Sequence, residues 1–171
     1  MRTVVAVFDS KDRAERAVNT LRERGFRDNE INIVAKEDRV RGNGGGRGRG
    51  NGEEGGMFSG EVGDGIATGG AIGGLAGLLA GAGALAIPGI GPIVAAGPIA
   101  GALSGAFTGG VAGGLIDFGI PEERGREYER KVREGSILAL IKADEKKVDE
   151  ATRIFREAGA REVETHDARR R

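Results

Sequence analysis

The sequence has no cysteine and no tryptophan, and only one histidine (His166) and one tyrosine (Tyr128). Without cysteine there is no disulfide framework, no thiolate metal site and no thiol nucleophile. A lone imidazole gives a histidine-based metal site no second ligand of its kind. Neither sign of charge is in excess: 26 Lys and Arg face 26 Asp and Glu, for a formal net charge of zero. Bulk electrostatics therefore direct the chain neither to nucleic acid nor to an acidic substrate. The opening residues, MRTVVAVFDSKD, meet charge too early for a secretory signal, which makes a cytoplasmic origin the expectation. No nucleophile–base pair stands out. The stretches GDGIATGG and GNGGGRGRG lack both the preceding strand of a βαβ unit and the Gly-Lys-Ser/Thr ending of a phosphate loop. The expectation is a protein that is not an enzyme, with no metal, cofactor or small-molecule substrate.

What the chain has in excess is glycine, 33 of 171 residues, well above the usual ~7%. The distribution is uneven. Residues 1–38 have ordinary globular composition, and residues 39–64 form a polar Gly/Arg-rich tract that reads as a flexible linker. From Gly65 to Ile116 no residue is charged, and charge returns at Asp117. Residues 121–167 look globular again. Such a break in an otherwise 30% charged chain marks a segment with a different solvent or a different partner.

The two flanks repeat one plan. VVAVFDSKDRAERAVNTLRERGF reads as strand, turn, helix and glycine stop, with Ala14, Ala17, Val18 and Leu21 at helical spacing. Asp9 and Ser10 suit an N-cap, and Gly25 stands where a C′ glycine belongs. LALIKADEKKVDEATRIFREAGA matches it: one constant shift places Ala14 on Val148, Ala17 on Ala151, Leu21 on Phe155 and Gly25 on Gly159. Each helix precedes a short strand, INIVA (31–35) or the more polar EVETH (162–166). Two such halves make β-α-β-β-α-β, so the fold class is α+β: a ferredoxin-like domain. TVVAVF (3–8) and ILALI (137–141) should be its central strands. The strands carrying Asn32 and Glu162/Glu164 should be its edges. Residues from about 37 to 135 then become one long insertion, ending in a helix over PEERGREYERKVREG with Pro121 in its first turn. Asp9, Asp12, Glu122 and Glu123 read as helix-start carboxylates, and His166 as a surface residue.

These flanks, with INIVAKE and YERKVREGSILALIKAD, resemble the bacterial general stress protein domain family (YflT-type). The resemblance covers roughly half of the chain, in apolar positions, a glycine after the helix, and a run met here by Tyr128, Val132 and Gly135. Low-temperature-induced proteins of similar build carry a glycine-rich apolar segment in the middle. The resemblance implies a stress-associated protein, and it brings no catalytic residues.

In the uncharged segment, glycine recurs every fourth residue: Gly65, Gly69, Gly73, Gly77 and Gly81, then Gly97, Gly101, Gly105, Gly109 and Gly113. On a helix this spacing makes a groove without side chains, where a second helix approaches closer than the usual 8–10 Å. Each run could form ~30 Å of helix, enough to cross a bilayer core. Pro88, Pro92 and Pro98 between them would stop one helix and start the next. The prediction is a glycine zipper helical hairpin over residues 65–117, with those ten glycines as its packing residues. Ile66, Ile72, Leu75, Leu79, Ile99, Leu103, Phe107 and Leu115 then need cover. One reading places them in a lipid bilayer, with the flanks on the cytoplasmic side and the arginines of the linker near headgroups. A second packs them against copies of the chain in a cytoplasmic homo-oligomer or filament. A third folds them onto the chain's own domain.

Overall fold

The computed structural model describes residues 1–40, 83–87, 89–105 and 109–167. Among these, the chain forms six strands and six helices. They are β1 (Arg2–Phe8), α1 (Lys11–Glu23), β2 (Ile31–Lys36), α2 (Glu37–Val40), β3 (Gly83–Ile87) and β4 (Gly91–Ala96), then α3 (Ile99–Gly105), α4 (Gly110–Ile116), α5 (Glu122–Arg133), β5 (Ile137–Ala143), α6 (Glu145–Glu157) and β6 (Glu162–Asp167). The strands make one sheet in the order β3-β4-β2-β5-β1-β6, with every neighbouring pair antiparallel. The fold is α+β, in three layers: helices, sheet, helices.

The helices stop where glycine allows it. Gly25 (φ +82°) and Gly159 (φ +87°) take the left-handed conformation that ends α1 and α6. The next amide in each case reaches back, Phe26 to the Leu21 carbonyl and Ala160 to that of Phe155, both at 3.0 Å. The repeat read from the sequence thus ends in the same turn twice.

β1 is buried on both faces. Val4, Ala6 and Phe8 join one core with Ala14, Ala17, Val18 and Leu21 of α1 and Val148, Ala151, Ile154 and Phe155 of α6. The Phe8 and Phe155 rings meet edge to face, 5.9 Å apart. Val5 and Val7 join a second core on the opposite face, with Val34 of β2 and Leu138 and Leu140 of β5. Its cover comes from Ile99, Leu103, Val111, Leu115, Tyr128 and Val132, on α3, α4 and α5.

This second layer corrects the expected organisation at several points. Residues 83–87 and 91–96, assigned to the end of one zipper helix and a Pro/Gly link, form a pair of antiparallel strands instead. Gly89 and Gly91 turn the chain with φ of +85° and +90°, and Ile93 to Ala96 pair with Ile33 to Lys36 of β2. Ile93 and Val94 are β-branched and suit a strand, and the β2 edge beside them supplies its hydrogen-bonding partner. β2 is therefore an inner strand, and Asn32 is 1% exposed. The expected second zipper helix is two seven-residue helices, α3 and α4. Ile99, Leu103 and Leu115, for which lipid, other copies or the chain's own domain were the expected cover, are buried against the chain's own sheet, as the third of those readings has it. Arg39 and Val40, placed at the head of the linker, are in α2: Val40 is buried, and Arg39 donates to the carbonyls of Gly135 (2.8 Å) and Asp9 (3.0 Å). The rest of that linker and the first glycine run lie outside the described residues.

Asn32 ties the added layer to the sheet. Its Oδ1 accepts the Ile99 amide at 2.9 Å, capping the start of α3, while its Nδ2 donates to the carbonyls of Leu140 (3.4 Å) and Glu30 (3.3 Å). Gly97 (φ +85°) makes the approach possible: a Cβ there would stand 2.3 Å from the Ile31 carbonyl oxygen. Asn32→Leu leaves a buried amide unpaired, and we expect it to lower unfolding free energy by about 1–3 kcal/mol. Urea denaturation reads this; an unchanged midpoint would refute the clamp.

Candidate functional site

Two features gather polar chemistry or small residues in the described chain, and both involve α5. The first is a groove of about 660 Å³ between α4 and α5. Gly109, Ala112, Gly113 and Ile116 supply one wall, at helical spacing, and Arg126, Arg130 and Arg133 stand on the other with Glu122 and Glu129. Glu129 also works inward: its Oε2 accepts the Ala112 amide at 2.9 Å and so satisfies the start of α4 from a neighbouring helix. Ile116 is 45% exposed, the most exposed large apolar side chain after Met1 among the described residues.

The predicted packing glycines can be placed against this geometry. Gly97 is a turn residue pressed on β2, not part of a helix face. Gly101 is exposed, and a Cβ on it would meet no described atom within 4 Å. Gly105 ends α3, Gly109 precedes α4, and Gly113 lines the groove. The structure therefore does not bring this row together as one helix face. Gly65, Gly69, Gly73, Gly77 and Gly81 lie outside the described residues. Close helix approach is made by two glycines off the predicted row. A Cβ on Gly114 would come within 2.5 Å of Leu103 Cδ2, and one on Gly125 within 3.2 Å of the Ala112 backbone. The small-residue logic holds between α3 and α4 and between α4 and α5, at other positions. Their signal in the sequence was weak: Gly125 sits in a charged helix where nothing marks it as a contact.

The second feature joins α5 to β6. Glu162, Glu164 and His166 alternate along the strand and so share one face. Arg124 donates to Glu162 (2.8 Å) and, through Nε and Nη2, to Glu164, and it also pairs with Glu127. Lys131 pairs with Glu162 and Glu127. Tyr128 is fully buried; its hydroxyl donates to Glu164 Oε2 at 2.9 Å and lies 3.3 Å from His166 Nε2. Arg124 and Lys131 also lie over the Tyr128 ring. His166, expected at the surface, has a side chain only 11% exposed.

The titration behaviour follows from these contacts. Burial, and then Glu164, push the Tyr128 hydroxyl well above its ordinary value. Burial pulls the Glu164 carboxyl upward, but the hydrogen bonds from Tyr128 and Arg124 outweigh it and hold the group below the carboxylate range. Burial holds His166 below its ordinary value, with Arg124 acting in the same direction and Glu164 and Asp167 against it. Each polar group has its partner within the cluster, and no described buried side-chain N or O atom lacks one. Among the described residues no group of three His, Asp or Glu side chains is arranged to hold a metal ion. The alternating Glu-x-Glu-x-His of β6 and the acidic–basic pattern of α5 were visible in the sequence. Their juxtaposition was not, because the sequence does not say which face of β6 meets α5.

No protein-family model, no curated protein and no solved structure matches the chain.

The glycine contact yields a direct test. Gly125→Leu drives a large side chain into the Ala112 backbone, so thermal unfolding should show a loss of about 1–3 kcal/mol despite better helix propensity. A variant as stable as the parent would mean that α4 and α5 do not approach this closely.

Proposed function

We propose that the protein is a non-enzymatic, stress-associated assembly module that packs against copies of itself through a glycine-rich outer surface. In this reading the flanks form a ferredoxin-like unit. Support for that comes from the order β2-β5-β1-β6 with α1 and α6 on one face. The stress association rests on the resemblance carried by the flanking halves and by Tyr128, Val132 and Gly135.

The observation that carries assembly is the outward side of α3 and α4. Both helices are uncharged on every side, which is unusual for a surface layer. Gly101, Ser104, Gly109 and Ile116 are exposed there. A helix pair of this kind, turned away from its own core, suits another small-residue surface.

A second reading, attachment to a lipid bilayer, is favoured by the uncharged run Gly65–Gly81 and by the arginine tract before it. Among the described residues no helix is long and apolar enough to cross a membrane. Insertion would therefore fall to the first glycine run, with the flanks on the cytoplasmic side.

Gly101→Leu separates the two. A Cβ there would meet no described atom within 4 Å, and leucine replaces a poor helix former, so the fold should gain up to ~1 kcal/mol. In a contact surface the same leucine holds two copies apart. Sedimentation velocity should show concentration-dependent oligomers of the parent chain that the variant does not form, while its melting temperature holds or rises. A monomeric parent, or equal assembly of both, overturns the assembly reading; flotation of both with vesicles would then favour the bilayer.

A further inference from the structure

We propose that His166 is a proton-operated release for α5, so that charging its imidazole loosens α5, and α4 with it, from the sheet. The geometry begins with the Tyr128 hydroxyl. It has one proton and gives it to Glu164, so toward His166 its oxygen accepts, and the imidazole presents Nε2–H across 3.3 Å. The two rings stand edge to face, 84° apart with centroids 6.2 Å apart. This arrangement is complete with a neutral ring, and a second proton adds charge to a site that is nearly closed to water.

The surroundings decide how that charge is received. From α5 the ring faces Tyr128 and the Arg124 guanidinium, with Lys131 and Glu127 in the same network. On its own strand it has Glu164 (Nε2 to Oε2, 3.5 Å) and Asp167. On β1 its cross-strand partner is Thr3, whose hydroxyl donates to the Phe118 carbonyl after α4, and Arg2 holds Asp167. On β5, Lys142 is opposite Thr3 and stands over the Phe118 ring. Glu164 is the one close carboxylate, and it is already shared by Arg124 and Tyr128. Its charge, with that of Asp167, favours an imidazolium, but burial is the largest influence and opposes one, Arg124 acts with burial, and the ring stays below its ordinary value.

A group that resists its proton while docked binds it better once released, so acid favours release. The docked state is favoured fully above the ordinary pKa of about 6.5. That advantage falls as pH drops through the lower value of the docked ring. Loosening α5 withdraws Tyr128 and Val132 from the second core and Glu129 from the start of α4. It therefore uncovers the sheet face formed by Val5, Val7, Leu138 and Leu140.

His166 is the only histidine, so its Hε1 proton gives the one NMR signal of its kind in the full-length chain. We expect that signal to titrate with a midpoint below 6.5. Amide exchange in α5, corrected for intrinsic rate and referred to α1, should quicken as pH falls below 6.5, by at most about tenfold per pH unit for one proton. In His166→Gln the α5 exchange should lose this dependence between pH 6.5 and 5. A midpoint at or above 6.5 overturns the proposal, as does α5 protection that tracks α1 throughout. So does an unchanged pH dependence in His166→Gln, which would assign the effect to the carboxylates.

Discussion

Val5, Val7, Val34, Leu138 and Leu140 point to the sheet face that α1 and α6 leave bare, and the rest of the chain is arranged around covering it. At roughly 1.5–3 kcal/mol for each large side chain buried, these five represent on the order of 10 kcal/mol, about the net stability of an ordinary domain. A βαββαβ unit alone places both helices on one face of its sheet. The second face here is covered from within the long insertion, by α3, α4 and α5, while β3 and β4 widen the sheet beyond β2. The insertion is in part a structural layer of the domain that carries it.

Polar attachments hold that layer in place, among them one at inner strand β2, the Thr3 hydroxyl of β1 on the Phe118 carbonyl, and one at edge strand β6. On the β4 side, Asn32 reaches out of β2 to cap α3. On the β6 side, the Arg124–Glu164–Tyr128–His166 cluster fixes α5. Between them, α4 has no charged residue of its own and depends on its neighbours: Leu103 packs on Gly114, Gly125 admits the Ala112 backbone, and Glu129 satisfies its first turn. The attachments differ in chemistry. The Asn32 clamp involves no titratable group, so acid leaves it unchanged, while the β6 cluster consists almost entirely of ionisable side chains. Glu164 contributes stability above the ordinary carboxylate pKa, and that contribution is lost as pH falls through its lowered value.

The flanks were legible in the sequence because their periods are strong. The stripes of α1 and α6, the stops at Gly25 and Gly159, and four of the six strands follow from local pattern. The continuous apolar character of TVVAVF and ILALI also indicates burial on both faces, and so the need for a second layer. Residues 83–96 were misread because they lie between the two glycine rows, where Pro88, Pro92 and Pro98 read as the stop of one helix and the start of the next. Gly89, Gly91 and Gly97 have positive φ and turn the chain, a role that spacing cannot distinguish from helix packing. Asn32 was misread for a related reason. A polar residue in a strand suggests an edge unless its partner is known, and here the partner is an amide 67 residues away.

Glycine on the outside of α3 and α4 raises a different question from glycine at a turn. In an exposed helix it costs up to ~1 kcal/mol relative to alanine, and a Cβ on Gly101 would meet no described atom within 4 Å. Local stability therefore gives no reason for it. Leucines in its place would stabilise the helices but expose an apolar patch that drives indiscriminate association. Glycine exposes almost no apolar side-chain area, so such a surface can remain in water while unoccupied. When a partner helix arrives, the same absence of side chains allows close backbone approach and the dispersion contacts that come with it. A surface of this kind selects its partner by shape, since only another small-residue face fits closely enough to be held. On the proposed reading, the stability given up at Gly101 is the cost of that selectivity.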